Sequence, residues 1–306
     1  MRVALVGAGL MAREYMKLLQ GSKYFEPVGF FSRGKARAEA LSGDFGLPFF
    51  GSIDSLHRHA APDGLIVAVN EASTRQVLLE AFKFDWSVLV EKPAGYDLDD
   101  ARIILESAPP TQKIFVALNR RNYESTLKAS GYLKESERRF VRVQDQQNIR
   151  ELVTSYGVSP ESAEKYMYSN SVHLIDYFSI FCRGEVLRVE PIVAWNPSKP
   201  GVLISFIEYS SGDIGLYEAT WSGPGPWAVS ISTDSQRLEM KPLEFLSRQL
   251  AGQRTVENIT LPVSEFKPGL ERQLLQFNSA WRGEAHNLPT LKEAFRTTEL
   301  ISRIYS

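Results

Sequence analysis

The sequence predicts an α/β fold with an N-terminal doubly wound parallel sheet and a C-terminal domain built on an open, mainly antiparallel sheet. Three observations support this prediction. An apolar run at residues 3–6 stops at two glycines and continues as a helix. Apolar runs and helical patterns then alternate as far as residue 118, as expected for a parallel sheet covered on both faces. Beyond residue 185, apolar and polar residues alternate in short antiparallel strands. We place the domains at residues 1–121 and 122–306.

The composition is that of an ordinary globular protein, and it argues against several classes of function. The 306 residues are 43% hydrophobic and 23% charged, with a formal net charge of −1. A nearly neutral chain argues against nucleic acid as the main partner. No apolar run approaches the roughly 18 residues that span a bilayer, and the first run is too short and glycine-broken for a signal peptide. We therefore expect a cytoplasmic protein with neither a membrane nor a nucleic acid as partner.

The cysteine and histidine residues predict no metal site. The single cysteine, Cys182, cannot form an internal disulfide, and its apolar surroundings in the sequence indicate a buried, unreactive thiol. Of the four histidines, His57 and His59 lie in a polar segment that we expect to be exposed, and His286 follows a glycine in a loop. No pair of histidines has a metal-ligand context.

The spacing G-x-G-x-x-A at Gly7, Gly9 and Ala12 is typical of a dinucleotide-binding turn. Gly7 permits the turn, Gly9 lets a pyrophosphate approach the backbone, and Ala12 lets helix and strand pack closely. The N-terminus of the helix offers free N–H groups and a partial positive charge. Because the motif follows a strand and precedes a helix, we interpret it as a dinucleotide site and not as an ordinary strand–helix turn.

The end of the next predicted strand, at residues 27–33, indicates which dinucleotide binds. NAD-specific proteins usually carry Asp or Glu about 20 residues past the glycines, whereas arginine suits the 2′-phosphate of NADP. Here Ser32 is followed by Arg33, with Lys35 and Arg37 close behind and no carboxylate. We predict NADP, with NAD as the second choice. A solvated, basic helix start is the alternative interpretation.

The later patterns predict the remaining elements. In the first half, helices are expected at residues 35–41, 73–82 and 97–107, and strands at 63–69, 87–90 and 114–118. In the second half, helices are expected at 125–134, 160–166, 270–281 and 291–305, and strands at 140–145, 186–193, 202–209, 214–221, 227–233 and 237–241. If residues 168–178 are helical, Asn170, His173 and Asp176 share one face, opposite a packed side that contains Val172 and Ile175.

Four motifs together resemble the Gfo/Idh/MocA oxidoreductases. They are the glycine turn, Glu91-Lys92-Pro93, Asn119-Arg120-Arg121 and His173-Leu174-Ile175-Asp176. The family includes glucose–fructose oxidoreductase, inositol dehydrogenase and several nucleotide-sugar dehydrogenases. The resemblance implies a Rossmann domain, NAD(P)-dependent hydride transfer and a small, carbohydrate-like substrate. It also implies a homo-oligomer, a dimer or tetramer, joined through the C-terminal sheet.

The resemblance gives Lys92 and His173 catalytic roles. A lysine ammonium beside the nicotinamide can hydrogen-bond a substrate oxygen and stabilise its negative charge, and the Pro93 peptide is often cis in the family. A histidine, with an ordinary pKa of about 6.5, suits the proton transfer that accompanies hydride transfer. Judged without the family, Glu91-Lys92-Pro93 is more often a surface strand end, and His173 equally suits a structural histidine.

The predicted site combines the motifs and the resemblance. The predicted cofactor-binding residues are Gly7, Gly9, Leu10, Met11, Ser32, Arg33, Arg37, Val69, Asn70, Glu91, Lys92 and Arg121. The predicted catalytic residues are Lys92 and His173, and the predicted substrate-binding residues are Asn170, Asp176 and Tyr123.

Two positions depart from the family pattern. The aspartate usually found four residues before the histidine is Ser169, which cannot ionise to orient an imidazole. The usual Pro-Asn-x-x-His is Asn70-Glu71-Ala72-Ser73-Thr74. We expect an NADP-dependent oxidoreductase acting on a secondary alcohol or ketone of a sugar, polyol or nucleotide-linked sugar. The alternatives are a cofactor-retaining glycosidase, a non-catalytic NADP-binding sensor, and an imine or biliverdin-type reductase.

Overall fold

The computed structural model describes residues 1–155 and 158–306, apart from the side chains of residues 160 and 161. The chain folds as two units, residues 1–119 with 269–295 and residues 120–268 with 296–306. The sequence prediction assigned every residue after 121 to the second domain, whereas residues 269–295 fold with the first unit. Their helix carries an apolar stripe that completes the core of that unit, a long-range pairing that no local pattern reveals.

The first unit is built on a six-stranded, wholly parallel sheet in the order β3-β2-β1-β4-β5-β6. The strands are β1 Arg2–Val6, β2 Glu26–Phe31, β3 Phe49–Phe50, β4 Gly64–Val67, β5 Ser87–Glu91 and β6 Ile114–Ala117. The strand order reverses direction between β1 and β4. This is the topological switch point where ligands bind in open α/β sheets. The predicted doubly wound parallel sheet is confirmed.

Six helices belong to the same unit as this sheet. They are α1 Leu10–Gly21, α2 Lys35–Phe45, α3 Ile53–Ala60, α4 Glu71–Ala81, α5 Leu98–Ser107 and α10 Leu270–Arg282. The Asp97 side chain caps α5 by accepting the N–H of Asp100 at 2.9 Å, as predicted. The core is formed by apolar residues of β1, α1 and α10, among them Leu5, Tyr15 and Phe277.

The short elements β3 and α3 have no counterpart in the prediction. Helix α3 spans eight residues, and its buried positions Ile53, Leu56 and Ala60 are too few to give a strong helical pattern. His57 and His59, expected in an exposed polar segment, both lie on this helix. His57 is half-buried and stacks on Phe84 at 4.5 Å between ring centroids, whereas His59 is exposed.

The second unit is built on an eight-stranded sheet in the order β14-β13-β12-β11-β7-β10-β9-β8. The strands are β7 Phe140–Gln146, β8 Val186–Val193, β9 Val202–Tyr209, β10 Ile214–Thr220, β11 Ala228–Ser232, β12 Gln236–Met240, β13 Leu246–Leu250 and β14 Glu257–Ile259. All neighbours pair antiparallel except β7 and β10, so the predicted mainly antiparallel sheet is confirmed. Strands β13 and β14 were not predicted.

Five helices complete the described elements. They are α6 Glu124–Tyr132, α7 Ile149–Thr154, α8 Pro160–Glu164, α9 Val172–Phe181 and α11 Leu291–Ile304. A 3-10 turn at Asn119–Asn122 precedes α6, and a π-helical segment at Met167–Ser171 leads into α9. Within the described ranges, no helix combines the length and the apolar character that crossing a membrane requires.

Candidate functional site

The glycine turn lies between β1 and α1 and has the geometry that its spacing predicts. Gly7 adopts a φ of +123°, and its N–H donates to the carbonyl of Phe31 at 2.8 Å. A Cβ on Gly7 would lie 2.0 Å from the carbonyl oxygen of Ala68, so only glycine fits. Gly9 caps α1 with an ordinary φ of −89°, and a Cβ there would meet no atom within 4 Å. The helix N-terminus therefore faces open space.

This open space is a pocket of about 580 Å³ within the first unit. It is lined by Val6, Gly7, Ala8, Gly9, Leu10, Met11, Phe31, Ser32, Arg33, Gly34, Arg37, Ala68, Val69, Asn70, Glu71, Ser73, Val77, Glu91 and Lys92. Every predicted cofactor-binding residue except Arg121 is among them. The pocket lies at the carboxyl ends of β1, β2, β4 and β5, and it brings the N-terminus of α1 together with basic side chains, as a dinucleotide site requires.

Arg33 and Arg37 bring positive charge to the part of the pocket that follows β2. The Arg33 guanidinium donates to the Ser73 hydroxyl and, at 3.4 Å, to the side-chain oxygen of Gln76. Both partners belong to α4, so a helix some 40 residues further along the chain holds the arginine side chain in place. Ser73 and Gln76 are not among the predicted site residues, because no local pattern in the sequence shows that α4 will contact Arg33.

The strand β5 ends in Glu91, and Lys92 follows with a cis peptide to Pro93. The Tyr15 hydroxyl donates to Glu91 Oε1 at 2.6 Å, and the Gln273 amide donates to the Tyr15 oxygen at 3.0 Å. Burial, followed by the nearby Glu91 charge, raises the pKa of Tyr15 well above its ordinary value, so it stays protonated. Glu91 and Lys92 thus reach the pocket from a hydrogen-bonded strand end.

In the second unit, His173 lies on α9 and is 7% exposed. The prediction gave this helix one packed side, but every residue from Ser171 to Phe178 is buried. The helix predicted over residues 168–178 is not uniform, because Asn170 belongs to the π-helical segment and His173 to α9. Segments of π-helix are rare in proteins, and many of those that occur lie at functional sites. The Ser169 hydroxyl donates to the Tyr166 carbonyl at 3.3 Å.

Arg121 and Asp176 form a bidentate ion pair. Arg121 Nε and Nη2 donate to the two carboxylate oxygens at 2.8 and 2.7 Å, and the Thr297 hydroxyl adds a third hydrogen bond at 3.1 Å. Asp176 is 2% exposed. Both of its oxygens accept hydrogen bonds, so the pair links the turn before α6 to α9.

Asn170 belongs to a chain of hydrogen bonds that ends at a buried carboxylate. Its Nδ2 donates to Gln147 Oε1 at 2.9 Å, and Gln147 Nε2 donates to Asp145 at 2.7 Å. The Tyr217 hydroxyl donates to the other Asp145 oxygen at 2.7 Å. Burial raises the pKa of Asp145, while these hydrogen bonds oppose the shift. Because a carboxylate only accepts, Gln147 turns its amide nitrogen to Asp145, and its amide oxygen then accepts from Asn170 Nδ2.

Three other predicted features have clear positions. Tyr123 immediately precedes α6 and is buried. Next to Tyr123, burial lowers the pKa of Arg120, whose guanidinium lies 4.8 Å from the Trp227 ring centroid. Cys182 is buried, and burial raises the pKa of its thiol. In the part of the chain that the structure describes, no three His, Cys, Asp or Glu residues form a group that could hold a metal ion.

Comparison with known proteins shows what residues 1–119 resemble. The Gfo/Idh/MocA model, an oxidoreductase family with an NAD-binding Rossmann fold, matches residues 1–119. Glucose-6-phosphate 3-dehydrogenase of Bacillus subtilis (strain 168) is 32% identical over 107 residues, which are 35% of this chain and 30% of the relative. The aligned part is therefore less than a third of that relative's length.

Solved structures resemble the chain over nearly its full length. UDP-N-acetylglucosamine 3-dehydrogenase of Acidithiobacillus ferrooxidans has a TM-score of 0.82 at 15% identity, over 100% of this chain and 96% of that chain. A 3-ketoreductase of Actinomadura kijaniata, in complex with NADP and TDP-benzene, has a TM-score of 0.76 at 14% identity, over 99% and 96%. At such low identity these structures establish the shared fold.

Proposed function

We propose that the protein is an NADP-dependent oxidoreductase of the Gfo/Idh/MocA type, on the premise that this family's model matches residues 1–119. It moves a hydride between the nicotinamide and a secondary alcohol or ketone of a sugar, polyol or nucleotide-linked sugar. The observation that carries this proposal is the pocket in which the glycine turn, Arg33 and Lys92 come together. The name of the Bacillus subtilis relative supports a sugar as substrate.

The cofactor is held by backbone and by positive charge. The N–H groups at the start of α1 bind the pyrophosphate beside Gly9, where no side chain intrudes. Arg33 and Arg37 bind the 2′-phosphate through charge-assisted hydrogen bonds, with Ser73 fixing the direction of Arg33. When bound, NADP supplies the hydride acceptor, or the donor in its reduced form.

The catalytic groups are Lys92 and His173. The Lys92 ammonium donates a hydrogen bond to the substrate oxygen and stabilises its negative charge as the carbon changes oxidation state. The His173 imidazole takes or gives the proton of that oxygen. Asn170 accepts a hydrogen bond from a substrate hydroxyl through its amide oxygen, and Tyr123 adds a second contact. Asp176 acts by holding Arg121, in line with its occupied carboxylate.

A second candidate is a non-catalytic sensor that binds NADP. Ser169 replaces the family's aspartate, and its hydroxyl is turned to a backbone carbonyl. Lys92→Ala separates the two candidates. In an enzyme it abolishes turnover of a panel of sugars, sugar phosphates and nucleotide sugars, whereas a sensor shows no turnover even with Lys92 present.

The proposal is tested by titrating NADPH and NADH into the protein and following intrinsic fluorescence. We expect NADPH to bind more tightly, and Arg33→Ala to weaken NADPH about tenfold or more while leaving NADH unchanged, because a charge-assisted phosphate contact is lost. Lys35→Ala is the matched control, since this side chain is 81% exposed on the same helix start and does not line the pocket. Equal affinity for both cofactors would contradict the choice of NADP.

We also propose that copies of the chain associate through the half-exposed face of the second sheet. Phe206 and Leu216 lie opposite each other on β9 and β10 of this face, and Val202 on β9 is 54% exposed. Apolar groups of this kind are commonly covered in oligomers. Light scattering of the purified protein should give a dimer or tetramer mass, and a monomer mass at micromolar concentration would disprove the association.

A further inference from the structure

Three side chains from distant parts of the first unit meet beside the pocket. Tyr15 comes from α1, Glu91 from the end of β5, and Gln273 from α10. Tyr15 Oη lies 2.6 Å from Glu91 Oε1 and 3.0 Å from Gln273 Nε2. Tyr15 and Gln273 are both 0% exposed, whereas Glu91 lines the pocket. The cluster therefore connects the buried core with a residue at the pocket surface.

The hydrogen bonds of this cluster have a fixed direction. The Gln273 amide can only donate through Nε2, so it occupies an acceptor position on the Tyr15 oxygen. Tyr15 has one hydroxyl proton, and it uses that proton to donate a hydrogen bond to the Glu91 carboxylate, which only accepts. Hydrogen bonds to an ionised partner are short and strong, and the Tyr15 Oη to Glu91 Oε1 distance of 2.6 Å lies in that short range. The Glu91 carboxylate is therefore held from the side of the buried core.

We propose that Tyr15 and Gln273 are positioning residues that hold Glu91 at the cofactor pocket, so that a helix beyond residue 268 takes part in cofactor binding. The inference rests on the proposed function, because a fixed Glu91 matters only if the pocket takes a dinucleotide. Glu91 is also the residue before Lys92. The same support therefore fixes the strand end from which the lysine projects.

A buried tyrosine also fills the core, so the test must separate positioning from packing. We would measure NADPH affinity by fluorescence for the wild type, Tyr15→Phe, Glu91→Ala and the double variant. Tyr15→Phe keeps the ring and removes only the hydroxyl, and we expect about tenfold weaker binding in the wild-type background. In the Glu91→Ala background the same change should alter affinity by less than about twofold, because nothing remains to be positioned.

Two further variants complete the design. Gln273→Met retains the side-chain volume and should weaken NADPH about threefold, again only when Glu91 is present. Tyr209→Phe, a buried tyrosine of β9 in the second unit, should leave NADPH affinity unchanged. If Tyr15→Phe does not fold, Gln273→Met still tests whether positioning of Glu91 affects NADPH affinity.

The outcomes are distinct. Equal weakening by Tyr15→Phe with and without Glu91 would show that the tyrosine acts through packing alone and would overturn the inference. No weakening in the wild-type background, while NADPH still binds, would overturn the inference and leave the proposed function intact. Failure of the wild type to bind NADPH or NADH would overturn both.

Discussion

Gly7 and Gly9 differ in what one added methyl group would meet. At Gly7 the backbone has a positive φ, and a Cβ would overlap the Ala68 carbonyl at 2.0 Å. At Gly9 the backbone is ordinary and the space is open. We predict that Gly7→Ala lowers the free energy of unfolding by about 3 kcal/mol through strain and overlap. Gly9→Ala should change it by less than about 1 kcal/mol.

Cofactor binding should respond differently from stability. Both variants should weaken NADPH at least about tenfold, Gly9→Ala because its methyl group occupies the space that the pyrophosphate needs. Urea unfolding and fluorescence titration measure the two effects separately. A Gly9→Ala protein that binds NADPH as tightly as the wild type would place the cofactor away from α1.

Individual pocket residues could be predicted where a short motif carries the chemistry. The glycines, Arg33 and Lys92 each lie at a strand end, so local patterns were enough to place them in one pocket. The residues that hold them could not be found in this way. Tyr15 and Gln273 are 258 positions apart, and their contact exists only because α10 returns to the first unit. In the sequence Gln76 looks like any other helix residue, and only the folded structure shows its contact with Arg33.

Among the elements, Asp213 ties the turn between β9 and β10 to its neighbours. It accepts the backbone N–H of Arg139, which precedes β7, and the backbone and side chain of Arg183, which follows α9, at 2.8–2.9 Å. Burial alone would raise the pKa of Asp213, but these hydrogen bonds outweigh it and lower the pKa to about 2. The ordinary value is about 3.9.

A lowered pKa makes the folded state sensitive to acid. The stabilisation from Asp213 is complete above about pH 4, and it is lost as the pH falls toward 2, because the folded protein resists taking up the proton. We predict a loss on the order of 1 to 2 kcal/mol across this window, measured by urea unfolding at several pH values. The difference in stability between wild type and Asp213→Asn should shrink with falling pH.

A surface carboxylate provides the control for this prediction. The Asp99 side chain is 85% exposed, so Asp99→Asn should unfold in parallel with the wild type at every pH. If the stability difference between wild type and Asp213→Asn stayed constant from pH 5 to 2.5, Asp213 would not be a source of acid sensitivity.

Regular elements were predictable and irregular ones were not. Helix α10 and strands β8 and β9 follow clear periodicities, and their predicted bounds lie within one residue of those observed. The π-helical segment before α9 depends on a hydrogen-bond pattern that tertiary contacts select, so no local spacing indicates it. The single regular helix assumed for residues 168–178 is therefore replaced by a π-helical segment that holds Asn170 and an α-helix that holds His173.

At the scale of the whole molecule, α10 is a structural part of the first unit. Phe277 is completely buried and lies 6.4 Å from Phe115, between ring centroids, while Leu275 on the same helix is 37% exposed. We predict that Phe277→Ala lowers the free energy of unfolding by about 3 to 5 kcal/mol, because it leaves a cavity in the core. Leu275→Ala should cost less than about 1 kcal/mol. Similar losses in urea unfolding would contradict the assigned role of α10.

The return of α10 also has a consequence for synthesis. Domains commonly fold in the order in which the ribosome makes them, the N-terminal one first. Here β6 pairs with chain near Thr290, and the Val116 N–H donates to the Pro289 carbonyl at 3.0 Å. Between β6 and that partner lie the 149 residues numbered 120–268, all of the second unit's sheet among them. We therefore expect apolar surface of the first unit to stay uncovered while residues 120–268 are made, an interval that favours chaperone binding and aggregation.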